Sequence, residues 1–379
     1  MKKIKKIICH ILSSKYGNEK VFGQPKKVRS FVIVEVQSSN GISGFGESYQ
    51  SAYLPEISKF IIDYLSKYFL NLEINFAIKK IENFRIPFVS QVGIIKGLLS
   101  SLEIAILDAK AKSLGVPFFK ILNKNSKRKK IKAYASGGSV IYKKKDLIQD
   151  INLVKELGFS SYKMRIGHYK FNEDLKRINF IKNNLKGIDI MIDAIMGTLN
   201  LWNFKIAKKR INILNKIPLK WIEEPLPPER IFDYKKLKVI SKNSIALGES
   251  FTNYYEFENA IKNNSCDIIQ PDVTQLGIRD TIKVIKLAKK FKKSICLHVW
   301  GSPISLLCNL HVALAFKEIS LIEYPLVSLE FLKNDVSSKL KISNSFLSLK
   351  HEESGLGISI DKKILKKFNF IKLSGFEIK

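Results

Sequence analysis

The 379-residue sequence predicts an α/β protein, a modified TIM barrel of the (β/α)7β kind, with an N-terminal α+β capping domain that the C-terminal segment completes. Three observations predict it. From residue 131 the chain alternates short β-rich runs with amphipathic helical stretches, as a parallel sheet with crossover helices requires. Eight such runs within about 200 residues suit a closed barrel better than an open sheet. Ahead of residue 122 that rhythm is absent, and the chain is longer than the roughly 250 to 300 residues at which single cores stop growing.

The expected units are residues 1–122 for the capping domain, 123–344 for the barrel and 345–379 for a segment packing back on the cap, the rhythm fading from Pro325 onward. In the first unit Ile4 to Leu12 and Ser30 to Gln37 read as strands. Asn40-Gly41 supplies a hairpin tip, where positive φ is needed. The basic start and short apolar stretch of Met1 to Ser14 are followed by no small-residue cleavage site, so they read as a first strand and not as a signal. Helical spacing holds from Ser90 to Leu114, ends at Gly115-Val116-Pro117, and resumes briefly to Leu122. The eight barrel strands are expected at Ile131–Ser136, Ser161–Ile166, Ile188–Asp193, Lys220–Glu223, Ser244–Gly248, Asp267–Gln270, Ser294–His298 and Ile319–Ile322.

A hydrophobic content of 45% with every apolar run broken early argues for a globular protein without membrane association. The formal charge of +31 invites a nucleic-acid reading. Only 8 of the 65 basic residues are arginine, however, and the lysines are scattered along the whole chain, so no nucleic-acid partner is expected. Cys9, Cys266, Cys296 and Cys308 show no metal or redox spacing and read as reduced thiols of a cytoplasmic protein.

The ionisable residues carry the functional signal. Asp193, Glu223, Glu249, Asp272, His298 and Glu323 each close or closely follow one of strands three to eight, while Lys163 and Arg165 lie on strand two. In a barrel those strand ends form one mouth. Asp193, Glu223 and Glu249 make an all-oxygen set suited to a hard cation, Mg2+ before Zn2+, since no Cys or His stands among them. Asp272 beside His298 suggests a carboxylate that orients an imidazole base. His10, His168, His311 and His351 have no such setting.

Six segments, Tyr162-Lys163-Met164-Arg165-Ile166-Gly167, Met191-Ile192-Asp193-Ala194, Trp221-Ile222-Glu223-Glu224-Pro225, Leu247-Gly248-Glu249-Ser250, Gln270-Pro271-Asp272 and Leu297-His298-Val299-Trp300, resemble in order and spacing the signature segments of the mandelate racemase group of the enolase superfamily. Gly44-Phe45-Gly46-Glu47, Ala105-Ile106-Leu107-Asp108 and Gly355-Leu356-Gly357-Ile358 extend the resemblance over nearly the whole chain. It implies abstraction of the proton α to a carboxylate, with Mg2+ on Asp193, Glu223 and Glu249 chelating the enediolate. It also implies His298 as base with Asp272, Glu323 as an acid on a carboxylate oxygen, Lys163 holding the carboxylate, and a homo-oligomer.

Arg165 departs from the group, standing where the lysine base of the opposite face is expected. A guanidinium stays protonated and anchors anions or hydroxyls. Racemisation needs a base on each face, whereas dehydration needs one base and an acid for the β-hydroxyl. The resemblance therefore points to dehydration of an acid sugar, aldonate or aldarate, to a 2-keto-3-deoxy acid. Racemisation or epimerisation of an α-hydroxy acid, and a non-catalytic or polyanion-binding protein on this fold, stand as the alternatives. No lysine closes strand six, which disfavours the muconate cycloisomerase, dipeptide epimerase and true enolase branches. Substrate choice is expected in the loops Ser13–Lys27 and Ser51–Glu56, where Lys15, Lys20 and Tyr53 are plausible contacts. Trp300 and Ser302 either line the pocket or pack the barrel rim.

Overall fold

A computed structural model describes residues 2–16, 27–89, 91–167, 170–200, 202–327, 330–331 and 337–375, the side chains of 198–200 excepted. Lys20, His168 and most of the expected Ser13–Lys27 loop lie outside the described residues. Strands β1 (Ile4–Lys15), β2 (Val28–Ser38) and β3 (Ser43–Ser48) form an antiparallel sheet in that order. Gly41 turns the β2–β3 hairpin at φ 79°, as the Asn-Gly signal requires.

One face of this sheet packs on the long helix Gly93–Ser113, burying Val32, Val34 and Val36 against Leu98, Leu102 and Ala109. The glycines of Gly44-Phe45-Gly46 make the contact possible. A Cβ at Gly44 would meet the Ala105 carbonyl at 2.1 Å, and one at Gly46 the Ser101 carbonyl at 2.1 Å. Any side chain there would overpack the seam, which typically costs about 1–3 kcal/mol. Asp108 then ties three segments together, accepting from Phe45 N at 2.9 Å, Leu356 N at 2.7 Å and Lys112 Nζ at 2.8 Å.

The barrel strands are β4 (Lys130–Gly137), β5 (Ser161–Arg165), β6 (Asp189–Asp193), β7 (Trp221–Glu223), β8 (Ser244–Leu247), β9 (Ile268–Ile269), β10 (Ser294–Leu297) and β11 (Ile319–Pro325). Each pairs in parallel with the next, and β11 pairs in parallel with β4, so the sheet closes. Crossover helices join successive strands, the last being Pro303–Ala315 between β10 and β11. All eight expected strands are present, shifted by at most a few residues at their ends.

The hairpin of β12 (Leu340–Ser343) and β13 (Phe346–Leu349) straddles the expected boundary at 344/345. It joins the barrel, since β13 pairs antiparallel with the start of β4. The chain reaches the cap immediately afterwards, where Gly355 exchanges backbone hydrogen bonds with Val116 and Phe118, and later where Ser374 Oγ meets Ser30 Oγ at 2.6 Å.

His311, on the last crossover helix, sits in the seam between barrel and cap. It is buried, with Nδ1 accepting from Phe119 N at 3.3 Å and its ring stacked on Phe119. Burial pushes its pKa down to about 3. The unfolded chain takes up this proton near the ordinary histidine value and the folded chain does not, so stability is full above that value and falls as pH drops toward 3. One group of this kind contributes a slope of about 1.4 kcal/mol per pH unit. The difference in urea-unfolding free energy between wild type and His311→Gln is therefore expected to drift by roughly 2–3 kcal/mol in all between pH 6 and 4. A pH-independent difference would show that the ring is not held neutral.

Candidate active site

Strand alternation builds the site. Inside the barrel Tyr134, Met191, Trp221, Ala246, Cys296 and Leu321 form an apolar layer. Side chains of one face recur every second residue. Two positions further along, the same inward face therefore presents Ser136, Asp193, Glu223, Gly248, His298 and Glu323 at the C-terminal mouth. Lys163 and Arg165 follow the same alternation on β5.

Asp193, Glu223 and Glu249 are buried, and each offers an oxygen within 4.8 Å of the others. Burial and then the charge of Glu223 raise Asp193 to about 6, and burial with the charge of Asp193 pushes Glu249 well above the carboxylate range. Glu223 is held in place by Trp221 Nε1 at 2.9 Å, Gln270 Nε2 at 2.7 Å and Lys163 Nζ at 2.5 Å. Backbone N–H of Ile195 donates to Asp193 at 2.7 Å.

Lys163 is fully buried, 3.1 Å from Glu323 and 4.0 Å from Asp193. Burial alone would lower its pKa, but Glu223, Glu323 and Asp193 raise it beyond the ordinary lysine range, so it remains a cation. Burial likewise favours a neutral Glu323, yet Lys163 and His298 overcome that and hold it at about 2.

His298 Nδ1 lies 2.9 Å from Asp272 Oδ2, and its Nε2 lies 3.4 Å from Glu249 and 3.8 Å from Glu323. Burial pulls the imidazole pKa down, but Glu323 and the Asp272 hydrogen bond raise it above the ordinary value. Asp272 is fixed in turn by Thr274 N at 2.8 Å, Thr274 Oγ1 at 2.7 Å and Asn309 Nδ2 at 3.3 Å. With Nδ1 engaged, Nε2 is the nitrogen left to face the cavity.

Arg165 donates from Nη1 to the Gly137 carbonyl at 2.9 Å, sets Nε 3.8 Å from Asp193, and stacks 4.1 Å from the Trp300 ring centroid. A cavity of ≈ 130 Å³ opens over Asp193, Glu249, His298 and Arg165, roofed by Tyr49 and Tyr53 of the cap. Of the loop and rim residues named from the sequence, Tyr53 lines it, Lys15 is exposed at the end of β1, and Ser302 is buried in the rim.

All eight residues singled out from the sequence thus converge on this mouth. Sequence reasoning gave no role to Gln270 on Glu223, to Thr274 and Asn309 on Asp272, or to Tyr49, whose ring centroid is 5.1 Å from that of His298. It also missed Glu224, which adopts φ 35° and accepts from Gly248 N at 2.9 Å and Ser250 Oγ at 3.0 Å, bracketing Glu249. A clue was available for Gln270, which falls on the inward face of its strand. None was available for Tyr49, which reaches the site from the other domain.

Residues 146–364 match the family model described as Enolase C-terminal domain-like, and residues 22–123 match that of the Mandelate racemase / muconate lactonizing enzyme, N-terminal domain. The chain is 26% identical over 284 residues to the L-talarate/galactarate dehydratase of Salmonella typhimurium, covering 71% of this chain and 67% of that protein. It is 27% identical over 350 residues to the arabinonate dehydratase of Saccharolobus solfataricus, covering 89% and 90%. The crystal structure of the 3,6-anhydro-D-galactonate cycloisomerase from Zobellia galactanivorans superposes with a TM-score of 0.83 at 26% identity, covering 97% of this chain and 99% of that one. The Salmonella dehydratase liganded with Mg and L-lyxarohydroxamate shares the fold at a TM-score of 0.81 and 21% identity, covering 97% and 93%.

Proposed function

The chain belongs to the mandelate racemase and muconate lactonizing enzyme family of the enolase superfamily, and from that premise we propose that it dehydrates an acid sugar, aldonate or aldarate, to a 2-keto-3-deoxy acid. The observation that carries the reading is the asymmetry of the cavity. One imidazole base, backed by Asp272, faces it from β10, whereas the group at the end of β5 is a guanidinium stacked on Trp300. Such a pair suits removal of a proton from one face only.

The triad fits a divalent cation. Three buried carboxylates within reach of one another, with Asp193 and Glu249 raised by burial and by their neighbours' charge, mark a place short of positive charge, and their all-oxygen donor set is that of Mg2+. Held by Asp193, Glu223 and Glu249, Mg2+ would supply the Lewis-acid charge that makes a proton α to a carboxylate removable.

The protein's own groups do the rest. Lys163 stays a cation and holds a carboxylate oxygen of the substrate. His298 takes the α-proton at Nε2, and Asp272 stabilises the imidazolium through Nδ1–H. Glu323 hydrogen-bonds a carboxylate oxygen, which requires the substrate's negative charge to raise its pKa from about 2. His298 then returns the proton to the β-hydroxyl, which leaves as water while Arg165 anchors a hydroxyl. The enol product tautomerises to the 2-keto acid. In this reading residues 1–122 and the segment that follows β13 serve as the cap, and the chain from 123 through β13 as the catalytic barrel. The four free, buried cysteines agree with a cytoplasmic setting, and we infer a homo-oligomer from the family.

The test is incubation of purified protein and Mg2+ in D2O with a panel of aldonic and aldaric acids, read by NMR. Formation of a 2-keto-3-deoxy acid with loss of the α-proton is expected for at least one member. Exchange of the α-proton without that product would overturn dehydration in favour of racemisation or epimerisation.

A further inference from the structure

Arg29 is a cation in the cavity for which the chemistry above has no use. It lies on β2 of the cap, 4% exposed, and lines the same space as Arg165, Asp193 and His298. One guanidinium nitrogen donates to the Trp300 carbonyl, and the group sits 5.1 Å from the Trp300 ring centroid and 5.9 Å from that of Phe31. Among the described residues no carboxylate forms an ion pair with it. Glu47 is within its field, but the Glu47 oxygens are engaged by Ser302 N at 2.8 Å, Ser302 Oγ at 2.5 Å and Ser305 N at 3.1 Å, at the start of the Pro303–Ala315 helix. Burial also pushes Glu47 to about 7, so at neutral pH it supplies only part of a charge.

A guanidinium taken out of bulk water needs more than one neutral acceptor and two aromatic faces, because its desolvation is offset only by a paired anion. We propose that Arg29 forms an anion subsite for the far end of the substrate, selecting acid sugars that carry a second negative group over those ending in a neutral hydroxymethyl. The inference rests on the reading that the reacting substrate is an acid sugar whose first carboxylate lies at Lys163. Trp300 sets the direction. Arg165, with Nε 3.8 Å from Asp193, stacks on its ring, and Arg29 stands against the same indole. The reacting carboxylate belongs to the barrel end of the cavity, so an anion at Arg29 belongs to the cap end. The planar fork of the guanidinium suits either the second carboxylate of an aldarate or a terminal phosphate.

The test compares an aldonate, the matching aldarate and the matching terminally phosphorylated aldonate, on the Mg2+-loaded protein. Binding is followed by calorimetry and turnover by NMR. Wild type is expected to favour one of the two doubly charged acids over the aldonate by ~100-fold, the scale of a buried charge pair. Arg29→Met is expected to erase that ratio, and Arg29→Lys to keep part of it. Which doubly charged acid is favoured tells carboxylate from phosphate. A general disturbance of the Trp300 loop would weaken all three acids alike and leave the ratio intact, which would overturn the proposal, as would a wild type that binds the aldonate equally well. Binding discrimination without turnover of any acid would keep the subsite and sink the dehydratase reading instead.

Discussion

His298→Asn is expected to lower turnover by about 10²- to 10⁴-fold, the usual contribution of a positioned general base, with little change in the unfolding transition. The stability half of this expectation follows from what surrounds the ring. An asparagine amide can still donate toward Asp272 as Nδ1–H does, and Asp272 keeps Thr274 N, Thr274 Oγ1 and Asn309 Nδ2 as donors. Asp272 is therefore not left without partners, and an unpartnered buried carboxylate is the usual source of large destabilisation. The activity half follows from Nε2, the ring nitrogen that Asp272 does not engage. Both product formation and α-proton exchange in D2O should disappear together, because the same nitrogen serves both. Near wild-type turnover in this variant would show that the base lies elsewhere.

Glu249→Gln is expected to give the second large effect, and in two opposite directions. Its carboxyl is pushed up by burial and by the charges of Asp193, Glu224 and Glu223, so in metal-free protein it is a source of strain. Replacing it with a neutral amide of the same shape removes that repulsion, and the metal-free variant should melt at a higher temperature than metal-free wild type. Magnesium reverses the order. At 100 times its dissociation constant a ligand adds about 2.7 kcal/mol of stability, and a site that has lost one of three anionic oxygens should bind Mg2+ at least ~100-fold more weakly. Thermal melts with and without Mg2+ measure both halves. A variant that is no more stable without metal, and equally stabilised by it, would remove Glu249 from the ligand set.

The two kinds of expectation differ in how the chain encodes them. Strand positions and the ring of ionisable residues were legible because alternation is local. A residue two places beyond Met191, Trp221, Cys296 or Leu321 must share its face, and closure of the sheet brings those faces to one mouth. That suffices for Asp193, Glu223, His298 and Glu323, and the Asp272 partnership follows from the next strand. The reaction preference also came from a single residue type, arginine at 165, whose permanent charge needs no fold to be known.

Only the tertiary structure decided what touches these residues from outside their own strands. Tyr49 over His298, Arg29 on Trp300 and Glu47 on Ser302 cross from the cap to the barrel, and no fixed sequence separation encodes such pairs. Gly44 and Gly46 were legible in the sequence only as part of the family resemblance, and their physical reason is the approach of β3 to the Ala105 and Ser101 carbonyls. The β12–β13 hairpin was invisible as part of the barrel because an antiparallel addition at the start of β4 breaks the βα rhythm that revealed the other strands. Local periodicity thus determined the fold and the inner ring of the site. Packing between the two domains, which depends on how distant surfaces meet, decided the cavity's roof and the charge waiting at its far end.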